Sequence, residues 1–206
     1  MILEKVVVGQ LEVNCYVLAE APGKKALIID PGDDDEKIIA ALERHHLVPG
    51  LVVNTHGHYD HIGCDDSFGV DVCVHSADAA MLTEPKLNLS VVLGDFYKVR
   101  SKIRLLSDGQ EIGLDGLLLK VIHTPGHTRG GISLLLQKPR GRVLFSGDTL
   151  FFAGVGRADL YGGDEKQLIH SIREKLLVLD PETEVYPGHG PETSIGREKE
   201  RNPFLA

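Results

Sequence analysis

Apolar residues crowd positions 2–8 and 11–19 on either side of Gly9-Gln10, and fill Lys25 to Asp30 after a Pro22-Gly23 turn. Runs of this length, rich in Val, Ile and Leu and bounded by turn residues, predict three opening strands, the first two forming a hairpin. The period changes after Asp30-Pro31-Gly32. An acidic cluster at 33–36 suits a helix amino terminus, and Ile38, Ile39 and Leu42 then recur at helical spacing as far as His45-His46. Both of those histidines are read as structural, because a helix carboxyl end favours a cation. Short strands are expected at 51–54 and 71–74, with a short helix at 76–82. Residues 83–100 show no clear period and predict a loop or flap. Strand patterns resume at 103–106, 111–114, 117–124, 131–137 and 142–145, with a hairpin turn at 138–141. Leu168, Ile172, Leu176 and Leu179 share one face of a helix over 164–179, a strand follows at 183–186, and a polar helix starts near Thr193.

Strands and helices therefore come in two rounds, with no linker, repeat or low-complexity segment between them. An α/β (α+β) fold follows, in which two sheets pack face to face with helices outside. At 206 residues the chain fits one domain over 1–206 and is long enough to bury a sizeable core. A hydrophobic content of 42% and a charged content of 25% are those of a soluble globular protein. The net charge of −8 argues against a nucleic-acid surface, which needs clustered cations. The start, Met1-Ile2-Leu3-Glu4-Lys5, lacks signal-peptide character, no run approaches a membrane span, and three unpaired cysteines suit a reducing compartment. A cytoplasmic location without membrane or nucleic-acid partners is expected; oligomeric state is not legible. Cys15 and Cys73 read as small core residues and Cys64 as a packing residue.

The chemistry concentrates in Thr55-His-Gly-His-Tyr-Asp-His-Ile-Gly63, which places three histidines and a carboxylate within six residues just after a predicted strand. Imidazole and carboxylate are ligands of borderline divalent metals, and the carboxyl ends of strands are where open α/β sheets keep their chemistry. Three later stretches put one such residue among small residues after a strand: Thr124-Pro-Gly-His127, Phe145-Ser-Gly-Asp148 and Tyr186-Pro-Gly-His189. Glycine lets each turn be sharp and close, so that a side chain is aimed at a point. Converging strand ends would form one polar cage. His75, His123 and His170 lack this context and are read as structural, His123 having some claim to support His127 from the same strand.

The series His56-x-His58-x-Asp60-His61, His127, Asp148, His189 resembles the ligand series of the metallo-β-lactamase superfamily. Gly147 to Arg157 and Tyr186-Pro-Gly-His-Gly-Pro191 look like glyoxalase II and its shorter bacterial relatives. The resemblance implies a four-layer αββα sandwich, without the carboxyl-terminal helical domain of full-length glyoxalase II. It makes His56, His58 and His127 ligands of a first divalent cation, Asp60, His61 and His189 those of a second, and Asp148 the bridge. Zinc is the first choice of metal, with iron or manganese as alternatives; seven donors exceed what a mononuclear site needs. Asp30 resembles the carboxylate that supports the metal loop. Arg157 stands where the family has a basic residue near the glutathione backbone, and Asp159 where it tends to place a tyrosine.

Such a centre implies hydrolysis of a small-molecule thioester, of the S-2-hydroxyacylglutathione (S-lactoylglutathione) type, with Asp60 and Asp148 as catalytic carboxylates. A thiolate leaves without a strong general acid, because thiols ionise near pH 8.5. The alternatives are a mononuclear-iron persulfide dioxygenase of the same superfamily and a hydrolase of another ester or a lactone.

Overall fold

The computed structural model describes residues 1–139 and 141–205. Strands β1 (Ile2–Val8) and β2 (Val13–Ala19) form the expected hairpin, with Ile2 opposite Ala19 and Val8 opposite Val13. β3 (Lys25–Ile29) pairs antiparallel with β2. Helix α1 (Asp35–Arg44) then carries the chain back, so that β4 (Val48–Val53) lies parallel to β3. Short helix α2 (Tyr59–Ile62) precedes β5 (Val72–His75) and β6 (Ile103–Leu106), which continue the parallel part. The first sheet thus has the order β1-β2-β3-β4-β5-β6.

The second sheet begins with β7 (Glu111–Leu114), β8 (Leu117–His123), β9 (Ile132–Lys138) and β10 (Val143–Gly147), a run of antiparallel neighbours. The predicted turn at 138–141 joins the last two and contains Arg140, which lies outside the described residues. A small hairpin of β11 (Leu150–Phe151) and β12 (Gly154–Val155), not evident in the sequence pattern, follows β10. After α3 (Glu165–Ser171), β13 (Glu184–Pro187) returns parallel to β10, and β14 (Thr193–Ser194) closes the edge before α4 (Ile195–Arg201). The order is β14-β13-β10-β9-β8-β7.

The period-two alternation of strands sorts side chains into layers. In β2, Tyr16 and Leu18 face a central cluster shared with Leu27, Ile29, Leu119, Val121, Leu134 and Phe145, while Cys15, Val17 and Ala19 face a second cluster with Ile38, Ala41 and Leu42 of α1. Both faces of β2 are covered, which is why all seven of its residues are buried. On the far side, Leu144 and Val185 pack against Leu168, Ile172, Leu176 and Ile195. The layers are helix, sheet, sheet, helix: the αββα sandwich. The helix expected over 164–179 is α3 followed by a wider π-helical turn at Ile172–Leu176, and its apolar stripe stays buried through that change of pitch.

Candidate metal centre

β4, β8, β10 and β13 each end in a loop that delivers part of one cluster. His56 and His58 lie in the loop after β4, and Asp60 and His61 lie in the first turn of α2, so helical geometry rather than loop geometry sets the last two. His127 follows β8, Asp148 follows β10 and His189 follows β13. Backbone bonds tie these loops together: Ile132 N–H donates to Thr55 O (2.8 Å), Gly188 N–H to Gly147 O (2.9 Å) and Asn14 N–H to Gly188 O (2.7 Å). Two glycines are required by close approach. A Cβ on Gly188 would lie 2.2 Å from Asp148 Oδ1, and one on Gly147, at φ +49°, would lie 2.4 Å from Thr55 Oγ1.

The structure brings all seven candidate ligand residues together. Their donor atoms form three overlapping groups, His56/His58/His127, His56/His61/Asp148 and Asp60/His61/His189, each with its atoms within 4.8 Å of one another. In the first group His127 Nε2 lies 2.9 Å from His58 Nδ1 and 3.2 Å from His56 Nε2. In the last, His189 Nε2 lies 3.4 Å from His61 Nε2 and 3.6 Å from Asp60 Oδ2. Asp148 reaches both ends: Oδ2 is 3.6 Å from His127 Nε2 and 3.6 Å from His189 Nε2, and Oδ1 is 3.5 Å from His61 Nε2.

The outward ring nitrogens are held by protein. His127 Nδ1 bonds Arg157 O (2.7 Å), His189 Nδ1 bonds Leu11 O (2.9 Å), and His61 Nδ1 lies 3.0 Å from Asp30 Oδ2. Thr55 donates its hydroxyl to Asp30 Oδ2 (2.7 Å), which leaves Thr55 Oγ1, 3.2 Å from His56 Nδ1, to accept from that ring. In the neutral ring, an N–H anchored on the outside leaves a lone pair on the inside, the tautomer a metal ligand needs. His58 and His61 are the exceptions: the outward Nε2 of His58 has no partner among the described residues, and His61 Nδ1 meets Asp30 Oδ2 as an ion-pair contact without hydrogen-bond geometry. Asp148 Oδ1 is also buried without a hydrogen-bond partner. Bare imidazole nitrogens around an unsatisfied carboxylate oxygen fit a divalent cation, which would offset the cost of burying them.

Electrostatics divide the cluster in two. Burial, with His61, His127 and His58 nearby, holds His56 well below the usual imidazole range, and burial with His127 beside it takes His58 down to about 3. Burial also opposes charge on His61, but Asp148, Asp60 and Asp30 outweigh it and lift that ring to about 10. Asp60 is pulled below the ordinary carboxylate range, because His61 and His189 outweigh the effect of burial. One half thus presents neutral nitrogens, and the other attracts positive charge.

Two carboxylates support the loops. Asp30, 1% exposed, accepts from Thr55 N–H (2.7 Å) as well as the hydroxyl. Asp78 was not evident in the sequence. It accepts from Thr128 Oγ1 (2.6 Å), Gly130 N–H (2.6 Å) and Gly57 N–H (3.2 Å), and so joins the loop of His56 and His58 to that of His127. Its only sequence signal is a single acid inside the small apolar run Ala77 to Leu82. Arg157 contributes its carbonyl to His127, while its guanidinium pairs with Asp159 at 2.7 and 2.8 Å. His123 bonds Arg129 O (2.9 Å) and stacks on His75, away from the seven donors, and His45 pairs with Glu4. Cys15 and Cys73 are buried in the apolar layers; Cys64 is half-buried.

An αββα sandwich with imidazoles and carboxylates gathered at one edge is the architecture of a metallo-hydrolase. The chain belongs to the metallo-β-lactamase superfamily, whose family model matches residues 8–189. It is 35% identical over 211 residues to the hydroxyacylglutathione hydrolase GloC of Haemophilus influenzae, covering 100% of this chain and 98% of that protein. The crystal structure of the BLEG-1 B3 metallo-β-lactamase is similar with a TM-score of 0.92 and 39% identity, covering 100% of both chains. The crystal structure of TTHA1623 in a di-iron-bound form is similar with a TM-score of 0.84 and 37% identity, covering 98% of this chain and 100% of that one.

Proposed function

We propose that this protein hydrolyses a small-molecule thioester at a site holding two divalent cations. The observation that carries the reading is Asp148, whose two oxygens face both the His127 end and the His61/His189 end of one cluster. His56, His58 and His127 would hold one cation, Asp60, His61 and His189 the other, with Asp148 between them. Cations so placed supply Lewis acidity toward an acyl oxygen and water ionised near neutral pH.

The chain's own groups account for the rest. Asp60, kept ionised by His61 and His189, is available to accept a hydrogen bond from the attacking water and so orient it toward the acyl carbon. The hydrogen-bonded nitrogens of His56, His127 and His189, with the ion-pair contact of His61 to Asp30, restrain these rings from turning between cycles. A cavity of about 640 Å³ opens beside His58, Asp60, His127, Asp148 and His189 and gives the substrate a place to lie. A thioester suits this set, because its thiolate departs without a strong general acid. The relationship to GloC supports the same bond type.

The experiment is to prepare metal-free protein, load it with zinc, manganese or iron, measure bound metal by elemental analysis, and assay S-lactoylglutathione with simpler thioesters. Two ions per chain and thioester cleavage are expected. Full occupancy without cleavage of any thioester refutes the reaction, and one iron per chain with oxygen uptake on glutathione persulfide would establish the dioxygenase instead.

A further inference from the structure

The cavity beside the cluster has two kinds of wall. Its floor is the ligand set, and its other side is apolar: Leu11, Leu89, Val92, Leu93, Phe151 and Leu160 line it. Three of these are large side chains left open to water at the mouth, with Val92 75%, Leu93 63% and Leu11 54% exposed. Leu89 and Val92-Leu93 come from the segment 83–100, where a single helical turn at Ser90–Leu93 is held between left-handed residues at Leu89 (φ 71°) and Gly94 (φ 81°). That turn projects two neighbouring apolar residues over the site instead of burying them. Apolar side chains grouped at the rim of a reaction cavity mark a surface that a ligand covers.

The charges point the same way. Among the described residues lining the cavity the only cationic side chain besides the histidines is Arg157, and its guanidinium is already engaged by both oxygens of Asp159. The other charged groups there are the carboxylates Asp60 and Asp148, within a chain of net charge −8. Glutathione carries two carboxylates and needs cations to receive them. This lining offers it a single arginine that must first leave its partner.

We propose that the site selects thioesters with an uncharged, apolar acyl chain, seated against Leu89, Val92, Leu93 and Phe151. The inference rests on the thioesterase reading for its reaction and on the cavity wall for its specificity. The balance of the step is ordinary: water adds to the acyl carbon, the carbon–sulfur bond breaks, and the products are a carboxylate, a thiol and a proton.

The test uses the metal-loaded protein and N-acetylcysteamine thioesters from acetyl to octanoyl, together with lactoyl esters of N-acetylcysteamine and of glutathione. Ketone analogues with a methylene in place of sulfur give dissociation constants without turnover. The value of kcat/KM is expected to rise about two- to fourfold per methylene before levelling off, the span set by partial burial of each group. The ketones should tighten in parallel, and the neutral lactoyl ester should outrun its glutathione counterpart. Val92→Asp and Leu93→Asp, changes at exposed positions, should flatten the chain-length slope; Val178→Asp, exposed away from the cavity lining, should not. Circular dichroism reports whether each variant is folded. Cleavage with a flat profile, or a preference for the glutathione ester, overturns the specificity and leaves the thioesterase reading intact. Ketones that tighten with length while no thioester is cleaved overturn the reaction and leave the apolar preference. Failure of both series overturns both.

Discussion

Asp30→Asn keeps the shape of a buried side chain and removes its charge, so its effect follows from which neighbours donate. Three groups converge on Asp30: Thr55 N–H on Oδ1 (2.7 Å), the Thr55 hydroxyl on Oδ2 (2.7 Å), and His61 Nδ1 at 3.0 Å from Oδ2. Asparagine can keep its oxygen toward Thr55 N–H only by turning its amide nitrogen toward His61. The Thr55 hydroxyl can rotate to accept, but the ring of His61 must then carry its proton on Nε2, on the side facing Asp148 and His189. The lone pair that would bind a cation is lost. A hydrogen bond to a charged group contributes about 1.5–3 kcal/mol, which at about 1.4 kcal/mol per decade is on the order of a 10- to 100-fold loss of affinity. The cation in the Asp60/His61/His189 group should be the one weakened, and the one in the His56/His58/His127 group should change much less. Competition against chelators of graded strength, with elemental analysis at each step, resolves the two. Equal weakening of both ions, or unchanged binding of both, would refute the role given to the His61 tautomer.

Asp78→Ala leaves Thr128 Oγ1, Gly130 N–H and Gly57 N–H without their acceptor, and a loss of about 2–4 kcal/mol in denaturant unfolding is expected, with weaker binding in the His56/His58/His127 group. Gly188→Ala puts a methyl 2.2 Å from Asp148 Oδ1 and 2.9 Å from His61 Cε1, and should lower bound metal per chain more than it lowers the unfolding midpoint of the metal-free protein. His58 is neutral in the folded protein down to about 3 but ionises at its ordinary 6.5 when unfolded, so the unfolded state takes up the extra proton in between. Its contribution to stability is complete above 6.5 and declines as the pH falls toward 3; in the metal-free protein His58→Gln should flatten that decline in a pH series of unfolding curves, and an unchanged slope would count against it.

Much of the architecture was legible along the chain. Alternating apolar residues in β2 and the 3.6-residue stripe of Leu168, Ile172 and Leu176 are local patterns, and each names the face that must be buried. The candidate ligands were legible for a different reason: imidazoles and carboxylates among glycines after strands are hard to explain by packing. The small hairpin of β11 and β12 escaped notice because two-residue strands have no period to read.

What the linear order could not contain is distance. His58 and His127 are 69 positions apart in sequence and 2.9 Å apart at their nitrogens, and only the meeting of two sheets decides that. The same holds for the supports. Nothing near Asp78 marks it as the acceptor for two metal loops, and nothing near Leu11 says that its carbonyl will orient His189. Sequence alone determined the layers and the donor types, since local periodicity and side-chain chemistry are properties of the residues themselves. Tertiary packing decided which donors face one another, which nitrogen each ring presents, and that apolar residues rim the cavity, because those depend on backbone groups brought together from remote parts of the chain.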